Sequence, residues 1–246
     1  MDEKQFEGKT ALITGAGSGI GRALVQRLAS LGTHVIAVSQ TQSKLDSLRE
    51  ELGDHVETVC VDLGNWEATE AKLASACKHV DYLVNNAGYA YCCPLDQVPR
   101  NEVDKTFDIN LKAPINLIRL VAAGMKERRS GSIVNVSSVA GLLALDEHII
   151  YGASKAALDM VTKVSAKELG PFNVRVNSVN PTVVWTDMGR LYWSEPSKKA
   201  TATANIPMGR LVEVHEVINP ILFLLGDGSS MINGTMMPID GGFVAT

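Results

Sequence analysis

Short runs of apolar and β-branched residues recur along the chain, and longer segments with helical spacing separate most of them. Six runs predict strands: Thr10–Thr14, His34–Ser39, Val56–Val61, Tyr82–Val84, Ser132–Ser137 and Val174–Val179. The runs are almost continuously apolar, which is typical of parallel strands that helices cover on both faces. The pattern predicts an α/β fold with a single Rossmann-type, doubly wound parallel sheet and helices on both faces.

Apolar positions three and four residues apart indicate the faces by which helices should pack on the sheet. The first such set is Leu45, Leu48 and Leu52, and the second is Ala157, Met160, Val161 and Val164. No linker or repeat interrupts the pattern, so we expect one domain over 1–246. The long irregular stretch at about 185–207 carries Trp185, Tyr192 and Trp193, and it suits a lid over the substrate.

The composition narrows the class of protein. Of 246 residues, 46% are hydrophobic and 20% are charged, as in globular proteins with a sizeable core. The net charge of −4 gives no electrostatic footprint for nucleic acid or an anionic membrane. The N-terminus lacks a signal-peptide layout, and no apolar run is long enough to span a bilayer, so we expect a cytoplasmic protein.

The cysteines predict no metal site. Cys60, Cys77, Cys92 and Cys93 have neither zinc-ligand spacing nor the density of a disulfide scaffold. Ordinary packing is the favoured interpretation for the adjacent pair, Cys92 and Cys93. Contact with a substrate and redox sensitivity stay open for both of them.

A glycine-rich turn follows the first strand. It reads Gly15-Ala16-Gly17-Ser18-Gly19-Ile20-Gly21, and we expect a helix to begin near Arg22. Glycines at a strand–helix junction let the backbone approach a pyrophosphate, whose charge the helix N-terminus then meets. Strand, glycine turn and helix together favour dinucleotide binding.

The end of the second strand bears on which dinucleotide binds. The residues there are Ser39, Gln40 and Thr41, with no carboxylate to hydrogen-bond the ribose of NAD or repel the 2′-phosphate of NADP. There is no arginine either, and the nearest cations are Arg22 and Lys44. We therefore predict NADP(H) as the preferred coenzyme, with NAD(H) usable.

The residues that could act in catalysis lie near the middle of the chain. Tyr151 and Lys155 are four residues apart and share one face of a predicted helix, where the ammonium should lower the pKa of the phenol. Ser138 follows a strand, at the sheet edge where ligands of such folds bind. Its hydroxyl could hold a substrate oxygen, or it could merely cap a turn.

These residues carry a family resemblance from about residue 7 to the C-terminus. The chain resembles the short-chain dehydrogenases/reductases, whose motifs occur here in order: Thr14-Gly15-x-x-x-Gly19-x-Gly21, Asn85-Asn86-Ala87-Gly88, Asn110, Ser138, Tyr151-x-x-x-Lys155 and Asn180-Pro181. The resemblance implies that Tyr151 is the general acid in reduction, that Lys155 holds the nicotinamide ribose, that Ser138 binds the carbonyl and that Asn110 positions a proton-relay water.

The resemblance also implies the coenzyme contacts. Asp62 is expected at the adenine, Asn86 and Gly88 along the ribose path, and Val184 with Thr186 at the carboxamide. The full expected set is Gly15, Ser18, Gly19, Ile20, Gly21, Ser39, Gln40, Thr41, Asp62, Asn86, Gly88, Tyr151, Lys155, Val184 and Thr186. Ser138, Tyr151 and His148 are the expected substrate contacts, although a solvated rim position explains His148 equally well.

Within the family, three segments are similar to the dicarbonyl/L-xylulose reductases and the tetrameric carbonyl reductases. They are 37–42, 60–70 and 180–184. The chain departs from that branch at Ser18, where lysine is usual, and at Gln40, where arginine is usual. The resemblance implies NADPH-dependent reduction of a small carbonyl compound by a homotetramer. The apolar run Met236–Phe243 suits a buried subunit edge or a core strand within one subunit.

Two alternatives stay open on the residues alone. The same motifs serve 3-oxoacyl thioesters or steroids, because one fold hosts many substrates. A catalytically idle dinucleotide-binding scaffold is the other alternative, and the intact set of Asn110, Ser138, Tyr151 and Lys155 argues against it.

Overall fold

The computed structural model describes residues 2–186, 195, 200 and 202–245. Its seven strands are β1 (Thr10–Thr14), β2 (His34–Ser39), β3 (Val56–Cys60), β4 (Tyr82–Asn85), β5 (Gly131–Val136), β6 (Val174–Pro181) and β7 (Met236–Ile239). They form one sheet in the order β3-β2-β1-β4-β5-β6-β7, and every neighbouring pair is parallel. The predicted doubly wound sheet is confirmed, and the six predicted strands are present with small shifts at their ends.

The principal helices connect the strands. They are α1 (Gly19–Ser30), α2 (Gln42–Leu52), α3 (Trp66–Cys77), α4 (Arg100–Phe107), α5 (Ala113–Arg128), α6 (Ile149–Leu169) and α7 (Val214–Leu225). The first begins at Gly19, within the glycine turn and earlier than expected, because the turn itself supplies the first helical residues. A π-helical turn, Asp108–Lys112, joins α4 to α5.

Two apolar cores lie on opposite faces of the sheet. Leu24 and Leu28 of α1 and Ile221 of α7 belong to one core, and Leu73 of α3 and Leu117 of α5 belong to the other. Burial of such side chains stabilises the fold by roughly 1.5–3 kcal/mol each. The two cores hold the strands rigidly, so that their carboxyl ends can carry a site.

The two sets of residues predicted to face the core differ in their burial. Leu45 and Leu48 of α2 are fully buried, as predicted. The prediction for α6 was wrong for Met160 and Val164, which are 56% and 48% exposed, whereas Val161 is partly buried and packs against the core. The fully buried face of α6 instead includes Leu158, Thr162, Ala166 and Leu169.

The C-terminal apolar run contains the edge strand β7. Met236–Ile239 pairs with β6 on one side, in register with Ser178–Pro181. Three of its four residues are only half-buried. The expected strand within one subunit is therefore present, and its outer side leaves a surface available for packing.

Most of the expected lid lies outside the described residues, including Tyr192 and Trp193. None of the helices in the described part of the chain is both long and apolar enough to cross a membrane.

Candidate active site

The order of the strands reverses between β1 and β4, and ligands of open α/β sheets bind at such a switch point. A cleft of about 890 Å³ opens there, at the carboxyl ends of the strands. The expected coenzyme residues that line it are Gly15, Ser18, Gly19, Ile20, Ser39, Gln40, Thr41, Asp62, Asn86, Gly88 and Thr186. The sequence reasoning thus identified much of one continuous cleft.

The glycine turn is shaped for a close backbone approach. Gly15 and Gly19 have φ of +66° and +55°, a conformation that favours glycine. A Cβ on Gly21 would lie 2.3 Å from the carbonyl oxygen of Gly15, so any side chain there would force the turn open. The first turn of α1 contains no acidic residue, and its N-terminus is therefore electrostatically suited to a pyrophosphate. These residues fit a dinucleotide.

Asn86 fixes the glycine turn against the end of β4. Its side-chain amide donates to the carbonyl oxygen of Thr14 at 2.8 Å, and its backbone N–H donates to the Thr14 hydroxyl at 2.9 Å. The side chain of Asn86 lines the cleft while its amide is committed to the turn. We therefore regard Asn86 as a positioning residue for the coenzyme site.

Four expected coenzyme residues do not line the cleft: Gly21, Val184, Tyr151 and Lys155. Gly21 is buried behind the turn. Val184 forms a short parallel bridge with Val212 and packs against the core. Its neighbour Thr186 does face the cleft, where its methyl group would lie 3.3 Å from a Cβ on Gly19.

Lys155 lies beside the cleft, next to Gly88 of the cleft wall. Its ammonium donates to the carbonyl oxygen of Val136 at 2.8 Å and lies 5.6 Å from the ring centroid of Tyr151. A Cβ on Gly88, which lines the cleft, would be 3.7 Å from the same ammonium. Lys155 therefore lies between the coenzyme cleft and Tyr151, within reach of both.

Burial controls the charge of both groups. Desolvation lowers the pKa of Lys155 to about 8, although the nearby carboxylate of Asp159 opposes this. Desolvation raises the pKa of Tyr151, and a hydrogen bond with the Ser138 side chain opposes the rise. We expected Lys155 to lower the pKa of Tyr151, but this pKa is raised, because desolvation is the largest cause of its shift. The phenol is consequently protonated at neutral pH, which suits a proton donor.

Ser138 caps a turn, which is one of the two roles that the sequence left open. Its hydroxyl caps the 3-10 turn Val139–Gly141 by accepting from the N–H of Ala140 at 3.2 Å. The same side chain lies close enough to Tyr151 to oppose the rise in the pKa of its phenol. The cap fixes the hydroxyl beside the phenol, so that both can reach one substrate oxygen.

Asn110 lies in the π-helical turn and is fully buried. Its amide donates to the carbonyl oxygen of Tyr89 at 2.8 Å and to the Ser154 hydroxyl at 3.0 Å, and its oxygen accepts from the N–H of Tyr89 at 2.8 Å. Asn110 therefore ties the loop after β4 to α6. Because both amide hydrogens are committed, any relay water would have to use other atoms of this turn.

Asp159 was missed by the sequence reasoning. It lies one helical turn after Lys155, and its carboxylate accepts from the Asn180 amide at 2.9 Å and the Ser178 hydroxyl at 3.1 Å. Asn180 also donates to the carbonyl oxygen of Ser138 at 3.1 Å. The network links α6 to the serine loop. The signal for it was a lone acid four residues after Lys155 in an apolar helical segment.

The rim of the site contains His148 and the two adjacent thiols. The imidazole of His148 meets the ring of Tyr151 edge-on, with centroids 6.2 Å apart, and its Nδ1 is 2.6 Å from the carbonyl oxygen of Asp146. Cys93 is buried, whereas Cys92 is exposed and near enough to raise the pKa of Tyr151. Desolvation raises the pKa of Cys92 as well, so this thiol is a weak nucleophile.

The described residues contain no group of three His, Cys, Asp or Glu side chains that could hold a metal ion. The polar groups that the fold brings together are a protonated phenol, a serine hydroxyl and a buried lysine, beside the cleft that the glycine turn lines. This arrangement can hold a carbonyl oxygen and protonate it.

Comparison with known proteins identifies a matching family model and several relatives that are named as reductases. A family model described as enoyl-(acyl carrier protein) reductase matches residues 15–244. The L-xylulose reductase of Mesocricetus auratus is 51% identical over 97% of this chain and 98% of its own. The D-erythrulose reductase of Gallus gallus is 47% identical over 98% of each chain. "Carbonyl reductase [NADPH] 2" of Sus scrofa is 43% identical over 99% of this chain and 100% of its own.

Solved structures agree with these relatives. A protein described as a member of the short chain dehydrogenase/reductase family is 31% identical, with a TM-score of 0.90 over 98% of this chain and 99% of its own. A 4-hydroxyisoleucine dehydrogenase complexed with NADH is 33% identical, with a TM-score of 0.92 over 97% of this chain and 100% of its own. The sheet and the cleft are therefore those of a known group of oxidoreductases.

Proposed function

Because the chain belongs to the short-chain dehydrogenase/reductase family, we propose that it is an NADP(H)-dependent carbonyl reductase acting on small polar ketones, α-dicarbonyls or L-xylulose-type sugars. The observation that carries the proposal is the position of the Tyr151 phenol beside the Ser138 side chain and the buried ammonium of Lys155. The relatives named for L-xylulose, D-erythrulose and NADPH support the substrate and coenzyme classes.

In the proposed mechanism, the glycine turn and Lys155 would hold a dinucleotide, and its chemistry would be to supply a hydride for the carbonyl carbon. Ser138 donates a hydrogen bond to the carbonyl oxygen and holds it beside Tyr151. Tyr151 gives its phenolic proton to that oxygen as negative charge develops, and Lys155 binds the nicotinamide ribose through its ammonium. Asn110, Asn180 and Asp159 keep these groups in place. His148 lies where it can contact a polar substrate from the rim.

The proposal is tested with purified protein and a substrate panel. Oxidation of NADPH and NADH should be followed with diacetyl, L-xylulose and an acetoacetyl thioester. We expect turnover with the first two substrates and faster turnover with NADPH. Turnover confined to the thioester would instead support the second candidate, reduction of 3-oxoacyl thioesters. The description of the family model also names a thioester substrate, an enoyl group on acyl carrier protein. Coenzyme binding without turnover of any carbonyl compound would favour the idle scaffold.

Gln40 offers a test of the coenzyme preference. It lines the cleft beside Ser39 and Thr41 and supplies neutral donors only. Charge-assisted hydrogen bonds are about twice as strong as neutral ones, so Gln40→Arg should increase the preference for NADPH over NADH by roughly tenfold. The measurement is kcat/KM for both coenzymes. Gln40→Leu, which adds no charge, is the matched control. If Gln40→Arg leaves the preference for NADPH over NADH unchanged, the 2′-phosphate does not bind beside residue 40.

We also propose a homotetramer in the cytoplasm, with a lid at about 185–207. The exposed apolar residues Met160 and Val164 of α6 and the half-buried edge strand β7 are surfaces that a partner subunit could cover. Light scattering at micromolar concentration should give four times the monomer mass of 26.4 kDa. Met160→Glu should shift the mass downward, because a carboxylate in an apolar interface is costly to desolvate. A monomeric wild-type protein would contradict the assembly.

A further inference from the structure

The cations beside the coenzyme cleft differ in what they contact. Arg22, at the first turn of α1, is committed: its guanidinium forms a 2.5 Å ion pair with Glu51 and also reaches the Ser47 hydroxyl at 3.3 Å. Lys105 lines the cleft, with its ammonium 3.9 Å from the centroid of the Tyr89 ring. Lys44 also lines the cleft, and no described side chain forms an ion pair or a hydrogen bond with its ammonium.

Lys44 lies shortly after the end of β2, at the start of α2. It occupies the first turn of that helix, and its stem crosses the glycine turn. A Cβ on Gly17 would be 3.0 Å from Cβ and 3.1 Å from Cδ of Lys44. The same Cβ would be 3.0 Å from the Ser39 hydroxyl. The lysine stem and the end of β2 therefore meet at one point on the cleft wall.

This point is where a dinucleotide-binding fold distinguishes its coenzymes. The residues after the second strand contact the 2′ position of the adenosine ribose, which bears a phosphate in NADP and a hydroxyl in NAD. Ser39 and Thr41 offer hydroxyls there, and Gln40 offers an amide. None of the three carries a charge, so the phosphate needs a cation from another position.

We propose that Lys44 is the cation that binds the 2′-phosphate and so determines the preference for NADPH. This inference rests on the proposed function and names the residue responsible for its coenzyme preference. The flexible stem lets the ammonium reach the phosphate from the first turn of α2 while Ser39 and Thr41 donate neutral hydrogen bonds. Lys44 thus supplies the positive charge that the residues at positions 18 and 40 lack in this chain.

The first turn of α2, where Lys44 lies, also favours the binding of an anion. Thr41 is the N-cap of this helix and makes no side-chain capping bond, and the first turn contains no acidic residue. The free N–H groups of the first turn and the ammonium therefore favour negative charge at the same place. An acidic residue in that turn would have opposed the phosphate.

The test is direct binding of two coenzyme fragments, adenosine 2′,5′-bisphosphate and 5′-AMP, by isothermal titration calorimetry. Lys44→Met keeps the stem and removes the charge. It should weaken binding of the bisphosphate about tenfold while leaving the affinity for 5′-AMP unchanged, as expected for one lost charge-assisted bond. Lys44→Arg, which restores a cation, should retain most of the difference between the fragments. Lys105→Met is the matched control, because it removes a lysine from the same cleft away from β2.

The outcomes separate this inference from the proposed function. A Lys44→Met variant that keeps the wild-type ratio of affinities overturns the role of Lys44, even if the wild type reduces diacetyl with NADPH. An equal loss of the ratio in Lys105→Met also overturns it, because the effect would then be the general charge of the cleft. A wild type without any preference for the bisphosphate overturns both the role of Lys44 and the preference for NADPH. Failure of the substrate panel, with the fragment ratio intact in wild type and lost in Lys44→Met, overturns only the proposed reaction.

Discussion

Tyr151→Phe should lower kcat for carbonyl reduction by about a hundredfold or more, while the fold and the coenzyme affinity are retained. The variant keeps the half-buried ring and removes only the hydroxyl that we propose as the proton donor, beside the Ser138 side chain. Steady-state kinetics with a carbonyl substrate, together with a titration of NADPH, provide the measurement. Turnover close to that of wild type would remove the tyrosine from the mechanism.

The matched control is Tyr82→Phe. The Tyr82 hydroxyl donates to the carbonyl oxygen of Gln5 at 3.3 Å, at the amino end of β4 and far from the cleft. Tyr82→Phe should leave kcat unchanged. A loss of activity in Tyr151→Phe would then be specific to the hydroxyl at that position, because removing a hydroxyl from another tyrosine has no effect.

The direction of the tyrosine pKa adds a pH test. Because burial raises the pKa of Tyr151, the phenol stays protonated through neutral pH and reduction needs no prior titration. Alcohol oxidation would require the deprotonated form, so its rate should rise as the pH increases above neutral. In Tyr151→Phe this rise should be absent from the residual activity. A wild-type oxidation rate that falls with increasing pH would contradict the assignment.

Lys155→Met should weaken both coenzyme binding and kcat, each by about tenfold or more, because one ammonium serves the ribose and the reacting tyrosine. Its place between Gly88 of the cleft and the ring of Tyr151 is the geometric reason. A change in affinity alone, or in kcat alone, would contradict the double role. Lys167→Met, on the exposed side of the same helix, should have neither effect and serves as the control.

The lysine pKa predicts how affinity depends on pH. Burial lowers the pKa of Lys155 to about 8, so the free protein carries the ammonium at neutral pH and loses it as the pH rises through that value. Since we propose that the charged form binds the ribose, the affinity of wild type for the coenzyme should fall above about pH 8. Lys155→Met should not show this fall. Calorimetric titration across the range, with thermal unfolding to verify the fold, provides the comparison.

The order of short apolar runs by itself determined the fold class. Continuous runs such as Leu12–Ile13 and Leu83–Val84 can be buried only in a sheet covered on both faces, and this local requirement was visible without coordinates. The glycine turn could also be predicted, because close backbone approach excludes other residues at Gly21. The Tyr151 and Lys155 pair followed from helical spacing. These features depend on residues near one another in the chain.

Only the tertiary structure decided which distant groups act together. The stripe at Met160 and Val164 was assigned to the wrong face because periodicity shows that a face is apolar, not which partner covers it. The pKa of Tyr151 follows from burial, which the sequence does not show. The choice between Arg22 and Lys44 depended on Glu51, which pairs with the arginine across two helices. Charge and solvation depend on neighbours in space, and folding brings those neighbours together from remote parts of the chain.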